Sequence, residues 1–87
     1  LSISGLVVTL DREPPLAERA IRAFERDPRI TLGERAGERL PIVVETGSRV
    51  EDEEVFAALK GTPGVRFVDV AFVDFGSGEE GARDADG

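Results

Sequence analysis

The chain has 87 residues, 18 acids against 11 bases and a formal net charge of −7, enough for one domain and no more. It contains neither cysteine nor histidine, which excludes disulfides, a thiol nucleophile, thiolate metal sites and the usual general base. The acidic balance disfavours nucleic acid, which needs a basic footprint, and no apolar run reaches the roughly 20 residues of a membrane span.

The first predicted strand runs from Ile3 to Leu10. Leu6, Val8 and Leu10 share one face, and Ile3, Gly5, Val7 and Thr9 the other. Asp11 and Pro14-Pro15 end it and open a helix, because proline fits the first helical turn. Within that helix Leu16, Ala20, Ile21 and Phe24 recur at helical spacing, and Asp27-Pro28 stops it. A short second strand is expected around Arg29 to Glu34, with Ala36-Gly37 as the following hairpin turn. Leu40 to Thr46 reads as the third strand, in which Pro41 belongs at the beginning or at a bulge because it cannot donate a ladder bond.

Ser48-Arg49-Val50-Glu51 matches a capping box, with Ser48 accepting from the Glu51 amide and Glu51 reaching back to the Ser48 amide. The acids Glu51, Asp52, Glu53 and Glu54 suit the positive end of a helix dipole. Val55, Phe56 and Leu59 form the buried stripe of this second helix, which Gly61 to Gly64 ends. A fourth strand is expected from Val65 to about Phe75. Residues 76–87 carry no large apolar side chain and are rich in glycine and acid, so they read as a flexible acidic tail.

Strand-helix-strand thus occurs twice. A β-α-β-β-α-β order in so short a chain predicts an α+β domain over 1–75: a ferredoxin-like sandwich, with a four-stranded antiparallel sheet and two helices on one face. The other face has no cover from this chain. Strict alternation along the fourth strand places Val68, Val70 and Phe72 toward the helices, which makes Phe72 a core residue together with Phe56. Phe67, Asp69, Ala71, Val73 and Phe75 then lie on the open face, beside Ile3 and Val7 of the first strand and Val43 and Glu45 of the third. A contiguous apolar patch of this kind marks a site that something covers: a foreign partner, a second copy of the chain, or the chain's own tail. The acids interspersed in it suit a basic partner.

Catalytic motifs are missing. An acylphosphatase needs a phosphate-cradling first loop and an asparagine, but LDREPP lacks the glycines that let amides converge on a phosphate, and the chain has no asparagine. No Cys-x-x-Cys exists for a copper chaperone. Glu53-Glu54 reads as helix surface, and Gly76-Ser77-Gly78 is too short for a nucleotide loop. No catalytic residue, metal ligand or cofactor site is therefore expected.

ISGLVV near the start resembles the SSLVV that opens members of the NapD family, chaperones of periplasmic nitrate reductase. AGERLPIVVET resembles that family's hairpin and third strand, and TPGVRFVDVAFV its final PGV-x-x-V-x-LVYH strand. The resemblance covers Ile3 to Phe75. It departs at Gly5, where the first motif has serine, and at Phe72 and Val73, where the last has tyrosine and histidine. It implies a cytoplasmic ferredoxin-like protein that binds the twin-arginine signal peptide of a molybdoenzyme against its sheet, and holds back export until the cofactor is inserted. No secretory signal opens the sequence, in keeping with a cytoplasmic protein. On this reading Ile3, Val7, Val43, Phe67, Ala71 and Val73 supply apolar contact, and Asp69 and Glu45 pair with arginine. The alternative is an ACT-like regulatory module that binds a small molecule on the same fold, and homodimerisation is compatible with either.

Overall fold

Branched apolar residues at every second position build β1 (Ser2–Leu10), the strand around which the sheet is organised. A computed structural model describes residues 1–74; Phe75 and the acidic tail expected over 76–87 lie outside the described residues. The remaining elements are α1 (Pro14–Glu25), β2 (Ile30–Leu32), β3 (Arg39–Thr46), α2 (Arg49–Lys60) and β4 (Val65–Asp74). The sheet order is β2-β3-β1-β4, every neighbouring pair antiparallel, which is the ferredoxin-like α+β arrangement that the element order predicts.

One apolar core lies between the sheet and the helices. β1 gives it Leu6, Val8 and Leu10, and β3 gives Leu40, Ile42 and Val44; α1 adds Ala17, Ala20 and Phe24, and α2 adds Val55 and Leu59. Phe56 is only half-buried and packs against the rim of this core.

Local chemistry explains where the elements begin and end. At α1, Pro14 and Pro15 remove two amides that the first turn would leave without acceptors, so the helix starts with no side-chain cap. Pro41 sits inside β3, opposite Val7. Its carbonyl accepts from the Gly33 amide at 2.7 Å, so its nitrogen points to the same side, past the last β2 pair at Leu32 and Ile42. The Gly33–Pro41 pair therefore keeps one ladder bond, the one Pro41 accepts, and lacks the one it cannot donate, which is where the pairing with β2 ends. Gly37 and Glu38 form the tip of the β2-β3 turn, between Ala36 and Arg39, which exchange two backbone hydrogen bonds.

α2 departs slightly from the expected cap. Ser48 Oγ accepts from the Glu51 amide at 3.1 Å, but Glu51 Oε1 accepts from the Gly47 amide at 2.8 Å, one residue before Ser48. Its other oxygen accepts from Arg29, and holding both partners draws the side chain upstream. After α2, Gly64 turns the chain into β4 with φ +97°, and a Cβ there would collide with the Leu16 carbonyl of α1. Only glycine fits both the backbone angle and the contact.

β4 is two residues longer than the stretch of β1 it pairs with. The excess is absorbed by two register shifts, at Gly5/Leu6 and at Thr9/Leu10, which leave Ala71 and Arg66 without a partner in the ladder. A bulge adds one residue to one strand and so reverses the in-out alternation beyond it. From Phe67 to Val70, between the two shifts, the alternation runs as the sequence predicts. Beyond Ala71 it is inverted: Phe72 pairs with Gly5 and Val73 with Ser4. The core position expected for Phe72 is therefore corrected. Its side chain is 51% exposed and its ring lies against Gly5 on the face away from the helices.

Candidate functional site

The face of the sheet opposite the helices is uncovered among the described residues, and the registers lay it out as rows. Glu45, Ile3 and Asp74 stand side by side across β3, β1 and β4. Next come Val43, Gly5 and Phe72, then Pro41, Val7 and Asp69, and finally Arg39, Thr9 and Phe67. β2 adds Thr31 beside Val43.

Of the nine residues expected on this face, Phe75 lies outside the described residues and six of the other eight are brought together there. Ile3, Val7 and Val43 are half-buried in its floor, while Glu45, Phe67 and Asp69 stand exposed. Two are displaced by the bulge. Ala71 is the residue that the bulge leaves without a ladder partner. Val73 passes to the helix side, where it lines a groove of about 350 Å³ with Leu6, Val44, Phe56 and Val70, between α2 and the far half of β4. Phe72, which alternation placed inside, takes a place on the open face instead. The sequence carried a signal of this inversion. Unbroken alternation would put Asp74 on the same side as Val68 and Val70, and a carboxylate facing a core is costly.

Gly5 is the partner that makes the exchange possible. A Cβ added at position 5 would collide with the Phe72 ring, lying 2.6 Å from Cδ1 and 2.9 Å from Cζ. The missing side chain lets the ring lie down on β1, as aromatic side chains do across a strand glycine. Gly5 and Phe72, two of the positions at which the sequence departs from the motifs it resembles, are thus in contact.

Charge on the face is uneven. The carboxylates of Asp69 and Glu45 take part in no ion pair among the described residues. At the Phe67 end, the bulged Arg66 sends a guanidinium nitrogen to within 3.4 Å of Glu38 Oε1, and Arg12 holds the other Glu38 oxygen at 3.0 Å. The same Arg66 guanidinium stands 5.7 Å from the Phe67 ring centroid, and Lys60 Nζ stands 4.8 Å from that of Phe56. Phe72, by contrast, carries no cation over its ring among the described residues.

On the helix side, three buried hydroxyls converge on one carboxylate. Ser2 Oγ donates to Asp52 at 3.1 Å and Ser4 Oγ at 3.2 Å, while Thr46 Oγ1 lies 3.4 Å from the same carboxylate and 3.2 Å from the Ser48 carbonyl, either of which can accept its one proton. The group that accepts from these hydroxyls is a carboxylate, and the chain has no histidine to serve as the usual general base. The cluster satisfies polar groups at the ends of β1 and β3 and fastens the first turn of α2 to them. Among the described residues no cluster of three or more metal-ligating side chains forms, and no helix is long and apolar enough to cross a membrane. What this arrangement offers chemically is a surface: two aromatic rings, a floor of branched apolar residues and interspersed carboxylates.

No family model matches the chain, and no curated protein matches it in sequence. Its fold matches the solution structure of the E. coli Tat proofreading chaperone protein NapD. The TM-score is 0.70, over 95% of this chain and 87% of that one, at 14% sequence identity.

Proposed function

We propose that this protein is a cytoplasmic chaperone that binds the twin-arginine signal peptide of a molybdoenzyme of the nitrate-reductase type on the open face of its sheet. By holding the peptide it delays export until the cofactor is in place. The observation that carries this reading is the uncovered face itself, where Phe67 and Phe72 alternate with Asp69 over a floor of Ile3, Val7 and Val43. An apolar segment led by arginines matches it in both hydrophobicity and charge. The likeness of fold to a Tat proofreading chaperone supports the same function. The protein acts by binding and contributes no reacting group.

Calorimetric titration of the full chain with the leader peptide of such an enzyme tests the proposal. Saturable binding is expected. Phe67→Ala should weaken it by about 2 kcal/mol if the ring is a central anchor, and rising salt should weaken it modestly, because apolar contact is not screened. Failure of the wild type to bind would overturn the assignment. Tight binding of a free amino acid in its place would point to an ACT-like regulatory module, and concentration-dependent association of the chain alone would mean that a second copy covers the face.

A further inference from the structure

We propose that Phe72, laid flat on Gly5 beside Asp69, is a stacking seat for one arginine guanidinium of the bound peptide. The inference rests on the peptide-binding function proposed above and names the group that the centre of the face recognises.

Three features make the seat. The first is orientation. Gly5 has no side chain, so one face of the Phe72 ring can rest on β1 while the side chain stays 51% exposed. A ring lying along the sheet presents its electron-rich face outward, the geometry in which an aromatic attracts a cation. The second is the neighbouring charge. Asp69 and Phe72 stand opposite Val7 and Gly5, two residues apart on β1, so they are about 7 Å apart along the strand. A guanidinium over the ring therefore has a carboxylate within reach of its edge. Only a planar cation uses both at once, its face on the ring and its N–H fork toward the acid; a lysine ammonium can make one contact or the other. The third is vacancy. The half-exposed rings of Phe67 and Phe56 each have a basic side chain of the chain's own standing over them, and Phe72 has none among the described residues.

Gly5 is then a positioning residue, acting through the ring, and the ring is the contact. Glycine inside a central strand weakens the strand and is kept where something approaches the backbone closely. Here that something is a ring needed in a flat pose.

The test uses synthetic leader peptides carrying Arg-Arg or Lys-Lys ahead of an identical apolar stretch, titrated into the full chain and three variants. Wild type should prefer the arginine peptide by about three- to tenfold, the range of a partly desolvated cation–aromatic contact. Phe72→Leu keeps an apolar side chain without the π face, and should bring the two peptides to nearly equal affinity while the lysine peptide binds almost as before. Gly5→Ala, which lifts the ring, should do the same with Phe72 still present. Asp69→Asn should reduce binding of both peptides and shrink the salt dependence. Circular dichroism melts establish that each variant is folded, and Phe72→Leu serves if Gly5→Ala is not. Wild type that binds both peptides equally, or a folded Phe72→Leu that keeps the full arginine preference, overturns the seat while leaving the proposed function standing. Wild type that binds neither peptide overturns both.

Discussion

Phe72 shows how one residue's position changes its expected energetic role. Buried as strict alternation predicts, it would cost about 3–5 kcal/mol on truncation to alanine. Half-exposed on the open face, it has lost only about half of its water on folding, so Phe72→Ala should cost about 1–2 kcal/mol in a urea melt. Phe24, 2% exposed at the centre of the core, takes the opposite place, and Phe24→Ala should cost about 3–5 kcal/mol. Equal losses for the two would put Phe72 back in the core. Asp52 is the second residue on which much depends. Asp52→Ala strands the hydroxyls of Ser2 and Ser4, buried to 2–4% exposure, and should cost about 1–3 kcal/mol, while Thr46 keeps the Ser48 carbonyl. Asp52→Asn keeps an acceptor oxygen and should cost less, measured by the same melts.

The turn between α1 and β2 is tied to the start of α2 by Arg29. Its guanidinium donates to both Asp27 oxygens, at 2.9 and 2.8 Å, and to Glu51 at 3.0 Å. These bonds hold Asp27 below the usual carboxylate range. Glu51 is held down first by the Gly47 amide and then by Arg29. Arg29 is itself pushed further above its ordinary value by the two carboxylates, and stays protonated in both states throughout the acid range. Depressed carboxylates contribute stability that is complete above their unfolded values and is lost as pH falls through the folded ones, from about pH 5 downward. Arg29→Ala should therefore lower the melting temperature at pH 7 more than at pH 3. An equal drop at both would mean that the pairs contribute nothing. Much of this element-level chemistry is legible in the chain: Pro14-Pro15, Ser48 three residues before Glu51, and Gly64. The reach of Glu51 to Gly47 is not, because it depends on where Arg29 arrives from another element.

At the scale of the molecule, α1 and α2 share one core with β1 and β3, so unfolding should be a single transition. Phe24→Ala in α1 and Val55→Ala in α2 should each move the whole transition, with calorimetry and circular dichroism giving one midpoint. A separate early loss of helix signal in either variant would show two cooperative units.

The in-out alternation of Leu6, Val8 and Leu10 and of Ile42 and Val44, with helical spacing between proline and glycine signals, was sufficient for the succession of elements and, through it, for the fold. These patterns are local, and each residue's face follows from its neighbours in sequence. The same rule placed Ile3, Val7, Val43, Glu45, Phe67 and Asp69 on the open face. It failed after Ala71, because a bulge is settled between strands: β4 carries two residues more than its partner, and where that excess is taken up depends on which cross-strand contacts gain most. Gly5 in mid-strand and Asp74 out of phase hinted at an exception without locating it. Tertiary pairing put the Phe72 ring over the empty space at Gly5 and sent Val73 to the other side, since that is where a flat aromatic ring finds room against the backbone of β1.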